Sequence, residues 1–310
     1  MKHLSVLLLT SLVSLQCFAA DKVEIMLDWF INPDHGPLII AQQNGYFSAQ
    51  GLEVELIEPA DPSMPPKLVA AGQTDMAITY QPQLHLLVDQ GLPLVRVGTL
   101  VATPLNSLVV LKDGPIQSIT DLKDKKVGFS VSGFEDALLN AMLNNHGLSR
   151  DDLELVNVNW SLSPSLISGQ VDAVIGAFRN FELNQMDLEG HPGRAFYVEE
   201  EGVPAYDELI LVVNRQRLED DRWHRVMAAL EQATQYIINH PKVAWQHFVS
   251  YKPDELDTEL NRRAWRDTLN RFALRPAALD SNRYQRFGAF MQDQGLTQSN
   301  PAVNTYATSP

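Results

Sequence analysis

Two stretches of the chain carry nearly the same pattern. Residues Leu68 to Tyr80 read LVAAGQTDMAITY, and residues Leu166 to Phe178 read LISGQVDAVIGAF. In both, an apolar helix end stops at a glycine suited to the left-handed position just past a helix, and Gln-x-Asp leads into an apolar strand. Each copy is one αβ unit. Finding the unit twice, far apart in the chain, predicts two related α/β lobes in place of one long domain. The second copy runs into Arg179, Asn180, Phe181 and Glu182, which puts polar and aromatic groups just beyond a strand's carboxyl end. In open α/β sheets, ligands bind at such ends. The pattern therefore predicts a two-lobed small-molecule binder with this segment in its cleft.

The rest of the chain fits around those units. Residues 22–28 read as a first strand, followed by a loop punctuated by Pro33 and Gly36 and a short helix that begins at Pro37 and stops at Gly45. Leu52 to Ile57 alternates strictly, as a half-buried strand does. A helix over 83–90 and strands over 94–100 and 106–111 follow, and Lys112 to Pro115 reads as a hinge-like break. Beyond it come a strand from Lys126, an apolar helical stripe between Phe134 and Leu143, and a strand over 153–158. The segment 203–214 reads as a strand returning across the boundary. Helices are expected over 222–239, 243–251 and 259–272, and a frayed tail from Pro301.

This segmentation gives residues 21–111 and 206–310 to a first lobe and residues 112–205 to a second lobe inserted between them. Two crossings make a hinge, which suits closure around a ligand. The expected fold class is α/β, each lobe a sheet sandwiched by helices. At 310 residues the chain has core enough for two domains. With 24 basic against 38 acidic side chains, a nucleic acid is not an expected partner, since binding one requires a basic face.

Residues 1–20 have the form of a secretory signal: Lys2, an apolar run from Leu4 to Leu15, then small residues ending at Ala20. The mature chain is expected to be exported and soluble. Cys17 is the single cysteine and is a candidate for lipid attachment, although Gln16 is a poor residue to precede it. Cleavage after Ala20 leaves no cysteine, which removes disulfides and cysteine catalysis.

Several short motifs, in their order and spacing, carry a family resemblance: LDWFINPDHGP at 27–37, NGYF at 44–47, PADP at 59–62, YQP at 80–82, PLNS at 104–107, GQVDAVIG at 169–176 and NFE at 180–182. With these the chain resembles periplasmic binding proteins of ABC importers, a type II two-lobed fold, and within them the ThiY group, which binds the formylaminopyrimidine precursor of thiamin. The resemblance implies an aminopyrimidine ligand, an ABC permease as partner, no catalysis, no cofactor and no metal; a monomer is expected. The same fold includes the fungal thiamin pyrimidine synthase, the enzyme alternative. Where that enzyme has a cofactor-holding lysine this chain has Thr79, and its sacrificial histidine falls at Gln83. Binders of sulfonates or nitrate share the architecture and are the other alternative.

An aminopyrimidine needs aromatic rings over its faces and a carboxylate or amide along its polar edge, because a buried polar group left unpaired costs roughly 1–3 kcal/mol. Glu182 is the candidate for the edge; its other reading is a helix-start glutamate favoured by the helix dipole. Trp29 and Tyr80, which follow strands, are candidates for the faces or for core, with Phe178 as a third. Relatives commonly carry Tyr-Trp where this chain has Phe178 and Arg179, so Arg179 is expected either to stack or to attract an anion. Asn32 and His35 lie in the first loop, where ordinary turn chemistry also suits them; a lone His35–Asp34 pair lacks metal-ligand spacing. Asn106 lies by the hinge. Gly133 and Phe134 open a helix whose free amides suit an anion or a formyl oxygen. Asn180, beside Glu182, and Tyr206, on the return crossing, complete the candidates. His85 reads as a helix-surface residue.

Overall fold

A computed structural model describes residues 20–310. The export segment expected over 1–20, with Cys17, falls outside the described residues but for its last position.

The first lobe starts with β1 (Asp21–Met26), α1 (Gly36–Gln43), the single turn α2 (Tyr46–Ala49), β2 (Leu52–Ile57), α3 (Pro65–Ala70), β3 (Met76–Thr79), α4 (Gln81–Asp89) and β4 (Leu94–Val101). Pro37 and Pro82 sit in the first turns of α1 and α4, where the missing N–H costs nothing. The alternation of β2 buries Leu52 and Val54 and exposes Glu53 and Glu55. The second lobe follows with β5 (Asn106–Leu111), β6 (Lys126–Phe129), α5 (Glu135–Asn145), β7 (Glu154–Asn157), α6 (Leu162–Ile167), β8 (Ala173–Phe178), α7 (Glu182–Leu188) and β9 (Gly193–Tyr197). Then come β10 (Leu209–Asn214), α8 (Arg222–Asn239), α9 (Pro241–Ser250), α10 (Pro253–Leu256), α11 (Glu259–Thr268) and α12 (Ser281–Asp293).

The strands form two five-stranded sheets, ordered β2-β1-β3-β10-β4 and β7-β6-β8-β5-β9. The two orders are the same pattern written twice. The repeated αβ units supply the central strands β3 and β8, after Gly72 and Gly169 at φ of +71° and +73°. The repeated aspartate has an architectural job: Asp75 Oδ2 accepts the N–H of Glu24 in β1 at 3.0 Å, and Asp172 Oδ2 accepts the N–H of Lys126 in β6 at 2.9 Å. Each therefore ties the neighbouring parallel strand to its own.

The fourth strand of each sheet is antiparallel and comes from a crossing segment. This moves one expected boundary. β5 was placed at the end of the first lobe, yet it pairs with β8 and β9, so the first crossing falls in residues 102–105 and not at 111. An apolar strand shows where it starts and stops, but its sequence does not say which sheet receives it. The return crossing precedes β10, which occupies only the second half of the strand expected over 203–214.

The C-terminal helices cover the first sheet, with α8 burying Trp223, Val226, Met227, Leu230, Ala233 and Ile237 along one face, as its 3.6-residue period dictates. The tail expected to fray is instead packed: Tyr306 and Ala307 are buried, and residue 307 bridges Arg96 of β4. The cause is Arg96, fully buried, whose guanidinium donates to the carbonyls of Thr308 at 3.0 Å and Ala278 at 2.6 Å. A buried cation needs such acceptors. His85 is likewise buried, against Tyr284, Phe287 and Tyr306, and burial lowers it to about 4; the surface placement expected of it is corrected accordingly. None of the described helices is long and apolar enough to cross a membrane.

Candidate functional site

The carboxyl ends of β1, β3 and β8 and the amino end of α5 converge on a cleft of about 440 Å³, its open mouth included. Of the residues singled out from sequence, Trp29, Asn32, Tyr80, Phe178 and Glu182 border it. So does Phe181, from the segment expected in the cleft, and so do Asp28, Asp34, Glu135 and Gly176, which the sequence does not single out as ligand contacts.

Asp28, just past β1, holds one wall in place. Its Oδ2 accepts the Tyr80 hydroxyl at 2.9 Å, and its Oδ1 lies 2.9 Å from His35 Nε2. His35 is fully buried, and its Nδ1 accepts the N–H of Asn32 at 3.2 Å, so the proton belongs on Nε2 and is donated to Asp28. His35 is thus a support for the loop, which Asn32 closes by accepting the N–H of Asp34 at 2.8 Å. Tyr80 is stacked on Phe134 at 4.7 Å and 12°, and meets Phe178 edge-on at 6.4 Å. Burial and the neighbouring Asp28 keep the Tyr80 phenol well above its usual range. Trp29 packs edge-on against Trp160 at 4.4 Å toward the mouth.

Asp34 joins the two lobes. Its Oδ1 accepts from Asn180 Nδ2 at 2.6 Å and lies 2.9 Å from Thr268 Oγ1 of α11. Its Oδ2 is buried with no protein partner, and burial raises the carboxyl to about 6. Glu182, the first residue of α7, is buried; its Oε2 accepts the N–H of Phe178 at 2.6 Å, and burial raises it to about 8. Glu135, the first residue of α5, is buried to the same effect and also stands at about 8.

The other candidates are placed as follows. Phe134 backs Tyr80. Asn106 lies behind Gly176, accepting its N–H at 3.1 Å. Asn180 serves the bridge to Asp34. Gly133, at φ +86°, and Tyr206, fully buried with its hydroxyl 3.5 Å from Glu208, do not border the cleft. Arg179 is turned away from it: Nη1 and Nη2 each hold Glu199 at 2.7 Å, and the guanidinium lies 4.0 Å over the Tyr197 ring. The expected stacking or anion-attracting role is corrected by that pairing, which already satisfies its charge and its planar face.

The electrostatic outcome is one-sided. Among the described residues, four carboxyls, from Asp28, Asp34, Glu135 and Glu182, border the cleft, and no Lys, Arg or His does. Such a surface offers an anion no cation, and its acids accept hydrogen bonds where ionised and donate them where protonated.

Residues 32–244 match the family described as NMT1/THI5 like. A Haemophilus influenzae protein whose name assigns it provisionally to thiamine biosynthesis is 59% identical over 296 residues, 96% of this chain and 94% of its own. The formylaminopyrimidine-binding protein of Halalkalibacterium halodurans is 34% identical over 230 residues, covering 73% of this chain and 69% of its own. The 4-amino-5-hydroxymethyl-2-methylpyrimidine phosphate synthase of Aspergillus parasiticus is 28% identical over 260 residues, 79% of this chain and 75% of its own. Among solved structures, the alkanesulfonate-binding protein SsuA of Xanthomonas axonopodis pv. citri, bound to MOPS, superposes with a TM-score of 0.73 at 17% identity, over 93% of this chain and 99% of that one. The shared architecture is the two-lobed periplasmic-binding-protein fold.

Proposed function

This chain belongs to the NMT1/THI5-like family, and from that premise we propose that it is a periplasmic solute-binding protein. It closes its lobes over a pyrimidine precursor of thiamin, N-formyl-4-amino-5-aminomethyl-2-methylpyrimidine, and delivers it to the permease of an ABC importer. The observation that carries the reading is the aromatic-walled cleft bordered by four carboxyls and no basic side chain.

The chemistry follows from the side chains. Tyr80, backed by Phe134, and Phe178, edge-on to it, supply aromatic surface against which a flat heterocycle packs, with Trp29 also at the cleft. Glu182, protonated at neutral pH and with Oε1 unspent, pairs with a ring nitrogen and the adjacent exocyclic amine through two hydrogen bonds. Asp34 Oδ2, otherwise unpaired, accepts a second N–H of the ligand. Closure over the molecule excludes water and strengthens each of these bonds. The bridge from Asn180 to Asp34 is one of the contacts between the lobes, beside Asn184 to Asp267 and Arg263 to Asp187.

The cleft argues against a sulfonate or nitrate, since Arg179 is already committed to Glu199 and no basic side chain among the described residues borders the cleft. Binding without catalysis is supported by Thr79, whose hydroxyl lies 2.5 Å from Gln83 Oε1 where the synthase resemblance has a lysine and a histidine, and by the absence of any lysine among the residues at the cleft. The test is to purify the exported protein, unfold it and identify the released molecule by mass spectrometry. The formylaminopyrimidine or its free amine supports the reading; a sulfonate or other anion overturns it.

A further inference from the structure

Glu135 is buried at the amino end of α5, and its carboxyl is only half spent. Oε2 accepts two backbone N–H groups, from Ser130 at 2.6 Å and Val131 at 3.0 Å, in the loop that leads from β6 into the helix. Oε1 has no hydrogen bond among the described residues and is the carboxyl atom that lies nearest Gly176, which borders the cleft together with Glu135. The space it occupies is made by Gly176 in β8, which adopts φ +98° and whose missing side chain would overlap the Glu135 carboxyl. Asn106 fixes that glycine from behind by accepting its N–H. A glycine at left-handed φ, held by a buried asparagine, thus opens a slot for one carboxyl group.

We propose that Glu135 is a ligand-contacting residue that acts as a hydrogen-bond donor through an Oε1–H, reading an acceptor on the bound molecule: a carbonyl oxygen or an unprotonated ring nitrogen. The inference rests on the pyrimidine reading of this cleft and deepens it, because it selects a neutral, acceptor-bearing ligand over an ammonium. With Oε2 facing two N–H donors, the proton belongs on Oε1, the oxygen left free beside Gly176. Burial raises the group to about 8, so it is protonated at neutral pH. The ionisable groups around it add no cation: Asp136 on its own helix, which is paired with Arg150 at the surface, Glu182 from α7, and Tyr80 at the end of β3 with Asp28 behind it. A carboxyl kept neutral donates as a hydroxyl does.

The experiment is calorimetric titration with the formylaminopyrimidine of wild type, Glu135→Gln and Glu135→Met, each stripped by unfolding and refolding, at pH values from 6 to 9.5. Glutamine reproduces both faces of the group, since its oxygen accepts from Ser130 and Val131 and its amide donates to the cleft. Glu135→Gln is expected within about threefold of wild type at pH 7, and Glu135→Met at least about tenfold weaker, the loss of one buried hydrogen bond. Wild-type affinity falls as pH rises through about 8, and the glutamine variant falls less. Should the methionine variant not fold, the pH profile of the glutamine variant decides. A glutamine variant as weak as the methionine one, or a wild type whose affinity rises through that range, assigns an ionised acceptor and overturns the proposal. Equal binding by all three, with superimposable pH profiles, overturns the donor role alone. A wild type silent toward the probe overturns the pyrimidine reading and the donor role with it.

Discussion

Replacing Glu182 by glutamine separates what this side chain does for binding from what it does to folding. Its carboxyl is buried, holds one N–H from Phe178, and is raised by burial to about 8 from an ordinary 4.5. A carboxyl with a higher pKa folded than unfolded binds its proton more tightly in the folded state. Stability is therefore greatest below the unfolded value, falls as pH climbs between the two, and levels off above the folded one. The gap is about 3.5 pH units; at roughly 1.4 kcal/mol each it sets a ceiling on the order of 5 kcal/mol. Water and dipole relaxation at a cleft wall reduce this to on the order of 2 kcal/mol. Urea unfolding of wild type and Glu182→Gln at pH 5 and pH 8 reads the effect. The wild type should lose about 2 kcal/mol more than the variant between the two values. The same variant should bind the formylaminopyrimidine about 0.5–1.5 kcal/mol more weakly, the range for a neutral hydrogen bond, because an amide donates to a ring nitrogen less strongly than a carboxylic acid does. Parallel stability profiles would show that the carboxyl is not held protonated by burial, and unchanged affinity would remove it from the ligand's edge.

Three further outcomes are expected. Asn180→Ala removes the bond to Asp34 that joins the lobes and should shift the unliganded protein toward an open form, visible as a larger radius of gyration in solution scattering, with ligand affinity lowered about tenfold; an unchanged radius and affinity contradict the bridge. Truncation after residue 301 strips Arg96 of the Thr308 carbonyl and exposes the packing site of Tyr306, and should cost about 2–4 kcal/mol in denaturant unfolding; a neutral truncation would mean that the tail is ornamental. Added pyridoxal phosphate should give no Schiff-base absorbance, since the cleft has no lysine at its border; a band abolished by prior ligand binding would revive the enzyme reading.

The parts of the fold legible in the sequence are those set by local chemistry. The duplicated units are marked by glycines at left-handed φ and by aspartates that hold neighbouring strands, and these repeat because the topology repeats. The alternation of β2 and the stripe of α8 are equally local. What the sequence hid depends on distant partners. β5 changes sheets because β8 and β9 accept it. The edge strand β9, half-buried and containing Gly193 and Arg194, has no apolar alternation to announce it. The C-terminal tail is ordered by a buried arginine that stands in β4.

The site divides in the same way. Trp29, Tyr80 and Glu182 were legible because they follow strands on one side of the lobes. Glu135 reads only as part of a glycine-containing helix entry with Gly133 and Phe134, and the slot left by Gly176 gives it a role of its own. Asp28 looks like the last residue of a strand until His35 and Tyr80 close on it. Asp34 looks like turn chemistry, and its turn is real, but the bond from Asn180 and the unpaired Oδ2 belong to the cleft. Arg179 was weighed by its position and its charge; the partner that neutralises it, Glu199, lies beyond β9.

The most direct test of the account is calorimetric titration of residues 21–310, unfolded and refolded to strip any carried ligand, with the formylaminopyrimidine, the free aminopyrimidine, thiamin and taurine in turn. Selective binding of the formylaminopyrimidine, with no heat from taurine, is the predicted result. Binding of taurine by a protein silent to the pyrimidines would contradict it, since a cleft bordered by four carboxyls has no place for a sulfonate.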